Sequence, residues 1–232
     1  MPRVIFKRPA HRQILEVLSR LDRASLTRAQ CYFGGGTRIA IELGEYRESK
    51  DIDFLCSSRD GYRLLRETVS ETSLGRILGP GLSLAREVRA DQYGIRTFLE
   101  KDEIKLKFEI LREARIDIEG EGLAMFPVAC LTRKHCFAEK FLANADRGLD
   151  ASTLSRDIVD LAFMIEGWSR VDADAGMAIA MGAYGDSVRR SLAAVTRKMR
   201  EDKAYRNRCV EGLAISDPKV LTAGLKGLAA FE

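Results

Sequence analysis

The feature that most narrows the fold of this chain is a short apolar run ending in three consecutive glycines. Cys31, Tyr32 and Phe33 read as a strand, Gly34, Gly35 and Gly36 as a turn, and Thr37 opens a helical stretch with Ile39, Ile41 and Leu43 that closes near Gly44. A polar stretch, residues 46–50, follows. The alternation in Asp51-Ile52-Asp53-Phe54-Leu55 then predicts a second strand. Strand, glycine turn, helix and strand in this order point to an α/β arrangement for this part of the chain.

The rest of the sequence divides in two. Helical spacing of Ile14, Leu15, Val17, Leu18 and Leu21 predicts an amphipathic helix over 10–26, and another is expected over 60–73. Strand alternation recurs over 82–88, 94–99 and 104–111, which predicts a mixed sheet of about five strands, a usual size. From Pro127 onward only helices are expected, over 131–145, 153–167, 172–182, 187–203 and 218–230. The predicted fold class is α/β (α+β): a mixed sheet with flanking helices over residues 1–125, then a helical domain over 126–232. The seam lies around 119–127, and no internal repeat is visible.

Composition excludes several function classes. The chain is 46% hydrophobic and 31% charged, enough for a real core. No apolar run approaches the roughly 20 residues of a membrane helix. Residues 1–7 carry Arg3 and Lys7 and run into a polar stretch, unlike a signal peptide. Five cysteines, odd in number and without a CxxC pair, suit a reduced cytoplasmic protein. With only His11 and His135, catalysis has to rely on carboxylates, lysine and arginine. The net charge of +4 permits a polyanionic partner without requiring one.

Asp51 and Asp53, two apart on a strand, lie on the same face, with Ile52 and Phe54 turned toward apolar packing. Adjacent carboxylates repel each other unless a cation lies between them. Mg²⁺, which takes oxygen ligands, would resolve the conflict. A solvated strand edge is the plainer reading of Asp-x-Asp alone. The upstream Gly34-Gly35-Gly36-Thr37 favours the metal, because glycines let backbone approach a phosphate and helix-start N–H groups attract anions. Together they are equipment for attack on a nucleoside triphosphate (NTP). Glu109, in an alternating strand with Lys105 and Lys107, is the candidate third carboxylate, as metal ligand or proton acceptor; a solvated, charge-paired sheet face is its alternative.

These residues resemble a known family. Gly34-Gly35-Gly36-Thr37, followed by Arg47-x-Ser49-x-Asp51-Ile52-Asp53-Phe54, looks like the signature of the AbiEii/AbiGii nucleotidyltransferase toxins, within the DNA polymerase beta-like nucleotidyltransferase superfamily. Ala138-Glu139-Lys140, Asp146-Arg147 and Arg156-Asp157-x-x-Asp160-Leu161 are similar to that family's downstream motif. The resemblance implies the toxin of a type IV toxin–antitoxin (abortive-infection) system that transfers a nucleotide from an NTP onto an acceptor, for some relatives a tRNA 3′ end, with an antitoxin as partner. Carried over, Gly35, Gly36, Thr37 and Arg47 would bind the nucleotide. Ser49 would contact triphosphate or accept a nucleotide, Asp51, Asp53 and Glu109 would hold Mg²⁺, Lys140 would contact the triphosphate, and Asp157 would be the polar residue required from the helical domain.

Read without the resemblance, Asp157 and Asp160 share a helical face and could offset the helix dipole, and Lys140 could lay its stem on Phe137 and Phe141 with its amine at a cleft. Arg189, Arg190, Arg197, Lys198, Arg200, Lys203, Arg206 and Arg208 give the late helices a positive bias, interleaved with Tyr205 and broken by Glu201 and Asp202. Such a surface could follow RNA phosphates or simply be solvated. The rival functions are a small-molecule, antibiotic-type nucleotidyltransferase and a catalytically inert nucleotide- or partner-binding module.

Overall fold

The computed structural model describes residues 6–101 and 104–232; Arg3, used above in reading the N-terminus, lies outside them. The chain divides into two compact units, Met1–Arg38 with Ser49–Thr132, and Ile39–Glu48 with Arg133–Glu232. Among the described residues no helix is long and apolar enough to cross a membrane.

The first unit carries the sheet. Its strands are β1 (Cys31–Phe33), β2 (Ile52–Cys56), β3 (Ser83–Leu84), β4 (Arg89–Ala90), β5 (Gly94–Lys101), β6 (Ile104–Arg112), β7 (Gly120–Gly122) and β8 (Ala129–Leu131). The order is β3-β5-β6-β2-β1-β8-β7, with β4 also on β5. The sheet is mixed: β5–β6 and β1–β2 are antiparallel, β2–β6 and β1–β8 parallel. One face is apolar because alternate residues of β2 and β6 bury Ile52, Phe54, Phe108 and Ile110 completely. Phe54 lies between Phe33 and Phe108, with ring centroids 5.7 and 5.9 Å away. A one-residue slip would turn these rings to solvent and drive Asp53 and Glu109 into the core, so the aromatic row holds the register.

Several expected elements differ in extent. The helix expected over 10–26 is two, α1 (Pro9–Ser19) and α2 (Arg23–Arg28), because Asp22 caps the second by accepting from Ser25 N at 2.8 Å. The strand expected over 82–88 is reduced to β3, with β4 following just beyond it, since Val88 is its only buried apolar side chain and no buried face can form. The sheet has eight strands rather than about five among the described residues. Two of the extra ones, β7 and β8, are three-residue strands that carry too little pattern to be read. α3 (Gly35–Glu42) follows the glycine turn, and α4 (Arg59–Arg66), shorter than its expected span, packs on α2 and β2.

The second unit is helical: α5 (Arg133–Arg147), α6 (Arg156–Gly167), α7 (Arg170–Tyr184), α8 (Ser187–Glu201), α9 (Lys203–Gly212) and α10 (Pro218–Leu228). Phe137, Phe141, Leu161, Leu192, Met199 and Leu225 are in its core. The helix expected over 187–203 ends at Asp202, whose side chain accepts from Tyr205 N at 2.8 Å and starts α9. Ile39–Glu48, which the sequence places with the sheet, belongs to this unit through Tyr46, whose ring stacks on Phe163 at 3.9 Å, and Arg47, which is bonded to Asp160.

Candidate active site

In the first unit the glycine turn is built against Asp53. Gly34 N donates to Asp53 O at 2.8 Å, extending the β1–β2 ladder by one pair. Gly35 has φ +69°, and a Cβ there would collide with Asp53 Oδ2 and stand 2.9 Å from Asp53 Cβ. Only glycine meets both demands. α3 starts at once, and the first N–H groups of a helix, here those of Gly35, Gly36 and Thr37, have no acceptor within it, so they favour an anion. Thr37 Oγ1 and Ser49 Oγ are 2.7 Å apart, and the buried His11 donates from Nε2 to Ser49 O at 3.1 Å. Two hydroxyls therefore stand together at this helix start.

The carboxylates lie one strand away. Asp51, just before β2, and Asp53 within it are half-buried, whereas Ile52 and Phe54 between and beyond them are wholly buried. Asp53 pairs in register with Glu109 on the parallel neighbour β6, so the two side chains share a face. Glu109 is already engaged: Lys107 Nζ donates to its Oε2 at 2.6 Å and Arg96 Nε is 3.5 Å from its Oε1. Among the described residues no group of three His, Cys, Asp or Glu is gathered to hold a metal alone. The donor set of Asp51 and Asp53 suits Mg²⁺, which is commonly held by one or two carboxylates plus substrate phosphates and water. The missing side chain at Gly35 lets the Asp53 carboxylate pack directly against the backbone of the turn.

The second unit contains a buried ionic network. Arg47 donates from Nε to Asp160 Oδ1 at 2.6 Å and from Nη2 to Oδ2 at 2.9 Å, and Tyr46 Oη donates to Asp160 Oδ1 at 2.6 Å. Lys140 Nζ bonds Asp157 Oδ1 at 2.8 Å and Asp160 Oδ2 at 2.7 Å. Arg147 Nε donates to Asp157 Oδ2 at 2.7 Å. Lys140 and Arg147, two turns apart on α5, present to one side, and Asp157 and Asp160, three apart on α6, meet them. Burial pushes both carboxyls up, but Lys140 with Arg147 and Arg47 with Lys140 outweigh it and hold Asp157 and Asp160 below the usual range. Burial alone would lower Lys140, yet the same two carboxylates keep it above its ordinary value. Three cations against two anions leave the network one positive charge in excess.

The chain matches the description "Nucleotidyl transferase AbiEii toxin, Type IV TA system" over residues 16–216. It belongs to the AbiEii family. Two solved structures share its fold: a candidate nucleotidyltransferase from H. pylori (13% identity, TM-score 0.53, covering 95% of this chain and 91% of that one) and JHP933 from Helicobacter pylori (12%, 0.56, 98% and 91%). No curated protein sequence matches this chain. Membership in the AbiEii family makes the chain a nucleotidyltransferase and a toxin of the type IV class.

Of the residues expected from sequence, Gly35, Gly36, Thr37, Ser49, Asp51, Asp53 and Glu109 fall in the sheet unit of this AbiEii chain, and Arg47, Lys140 and Asp157 in the helical unit. Arg47 is buried with Nε and Nη2 on Asp160 and Nη1 on Glu48 O, at 2.8 Å, so most of its donors are committed within the protein. Sequence reasoning placed none of His11, Tyr46 and Asp160 in the site. Asp160 was visible one helical turn beyond Asp157. His11 and Tyr46 lack any local signal, because their partners lie 38 and 114 residues away.

Proposed function

We propose that this AbiEii enzyme transfers a nucleotide from an NTP to an RNA hydroxyl, the 3′ end of a tRNA, in a Mg²⁺-dependent reaction in the cytoplasm, and that an antitoxin is its cellular partner. The observation that carries the reading is Asp53 lying against Gly35: an anion-binding helix start and a carboxylate suited to Mg²⁺ are in direct contact. Mg²⁺ on Asp51 and Asp53 would supply charge neutralisation on the phosphates.

The chain's own residues have definite tasks in this proposal. The N–H groups of Gly35, Gly36 and Thr37 bind phosphate, and the Thr37 and Ser49 hydroxyls orient it. The acceptor oxygen attacks the α-phosphorus, the bond to the β-phosphate oxygen breaks, and pyrophosphate leaves. Glu109, beside Asp53, takes the proton of the attacking hydroxyl. An ammonium has three donors, and Lys140 uses two of them on Asp157 and Asp160. Asp157 holds that amine in place.

The test is transfer of label from each of four α-labelled NTPs, with Mg²⁺, onto total tRNA, with Asp51→Ala plus Asp53→Ala as control. Label on tRNA that disappears in the control is the expected result. Label on an aminoglycoside and none on RNA would replace the reading with a small-molecule transferase. NTP binding without turnover on any acceptor would replace it with a binding module.

A further inference from the structure

The C-terminal helices carry a strong excess of positive charge. Residues 187–232 contain ten Lys and Arg against five Asp and Glu, a larger excess than the +4 of the whole protein. Among the described residues none of those ten C-terminal cations is in an ion pair with an Asp or Glu side chain. Unpaired charge of one sign raises the local potential and attracts a polyanion.

The clearest seat for one is a cleft of about 510 Å³ between α9 and α10, lined by Arg206, Pro218, Lys219, Thr222, Ala223 and Lys226 and by no carboxylate. Lys219, Thr222 and Lys226 recur at three and four residues along α10 and so share a stripe that faces the cleft. Arg206 enters from α9 and is held in place: its Nη1 donates to Met199 O at 2.8 Å and Arg200 O at 2.9 Å, the open carbonyls at the end of α8. The nearest acid in sequence, Asp217, is turned away, its Oδ1 accepting from Lys219 N and Val220 N to cap α10. The neighbouring cleft on α8, lined by Arg197 and Arg200, also contains Glu201 and Glu232 and is less suited.

Two further observations define the partner. None of the exposed large apolar residues lines the cleft, so the cleft itself has no such side chain to insert into a bilayer. Its only tyrosine, Tyr205, is buried beneath Lys198 at 4.0 Å and Arg208 at 4.9 Å, so it offers no ring for a base to stack on. We propose that the Arg206–Lys219–Lys226 cleft is a seat for the phosphate backbone of RNA that reads charge but not base sequence. This rests on the RNA-acceptor reading above and adds where, and how unspecifically, the RNA is held.

Anisotropy of end-labelled tRNA and of an unrelated hairpin of equal length, titrated with the full-length protein over a salt series, tests this directly. Lys219→Gln plus Lys226→Gln changes two side chains at the protein surface and leaves the fold intact. The wild type should bind both RNAs equally. The double variant should reduce the slope of log K against log salt by about 1.5, since each phosphate that a lysine neutralises adds about 0.7–0.9 to that slope. In the transfer assay its KM for tRNA should rise while KM for NTP and kcat at saturating tRNA stay unchanged. A wild type that labels tRNA, alongside a variant with unchanged slope and KM, would overturn the cleft assignment and leave the RNA-acceptor reading standing. A wild type that neither labels nor binds RNA would overturn both. Binding that separates tRNA from the hairpin, with both responding to the variant, would overturn the claim of sequence-blind contact.

Discussion

Arg47 and Asp160, 113 residues apart, form a buried bidentate pair with bonds of 2.6 and 2.9 Å. It belongs to a network in which each of two carboxylates meets at least two cations, so removing either carboxylate leaves positive charge that burial disfavours.

Asp160→Ala should therefore destabilise the protein by about 3–5 kcal/mol, the usual cost of stranding a buried charge. Replacing the pair together, Arg47→Met with Asp160→Leu, should recover much of that loss. Denaturant unfolding of the three variants measures both effects, and a double variant no better than Asp160→Ala would refute the ionic explanation.

Stability should fall on the acid side. Asp157 and Asp160 have folded pKa values below their unfolded values, so their contribution is complete above the ordinary carboxylate range, about pH 4, and is lost as pH falls through the folded values. Lys140 and Arg47 are shifted upward, so their contribution is complete below their ordinary values and disappears only in strong alkali. Unfolding free energy measured from pH 2 to 9 should be level near neutrality and drop below about pH 4. In Asp160→Asn that drop should be shallower.

Gly35→Ala should cost about 1–2 kcal/mol for the left-handed backbone and displace Asp53 as well. Gly44 also has positive φ, +80°, but no atom within 4 Å of its Cβ position. Gly44→Ala should thus show the backbone part of the stability loss and keep the activity, whereas Gly35→Ala should lower nucleotide transfer about 100-fold. Equal activities in the two variants would show that the Gly35–Asp53 contact does not matter for the reaction.

Ser49→Ala leaves the buried Thr37 hydroxyl without its 2.7 Å partner and should cost about 1–3 kcal/mol in stability. If Ser49 also orients the triphosphate, KM for NTP should rise about tenfold, equivalent to about 1.4 kcal/mol. Steady-state kinetics separate the two effects.

Asp51→Asn and Asp53→Asn should each lower transfer by on the order of 100-fold or more with an unchanged melting temperature, because both carboxylates are only half-buried. Chelation of divalent ions should reproduce the loss in the wild type, and added Mg²⁺ should restore it.

Much of the sheet unit was legible because its information is local. The period-two alternation of Asp51 to Leu55 and of Ile104 to Leu111 marks β2 and β6, and three glycines mark the turn, whatever the rest of the chain does. β7 and β8 escaped because three residues cannot show a period, and α9 because Asp202 divides a continuous helical pattern with a cap. The carboxylates were visible as residue types. Their company was not: that Glu109 stands in register with Asp53 and carries Lys107 and Arg96 depends on strand pairing.

By itself the sequence determined the order of elements, the apolar face of the sheet, the glycine turn and the motifs of the AbiEii family, all of which depend on residues within a few positions of one another. Only the tertiary structure decided that Tyr46 and Arg47 join the helical unit, that Lys140 is shared between Asp157 and Asp160, and that among the described residues the C-terminal cations meet no carboxylate side chain as partner. A charge acquires its partner through folding, since Coulomb attraction depends on distance in space, and no pattern along the chain encodes which carboxylate a buried cation will meet.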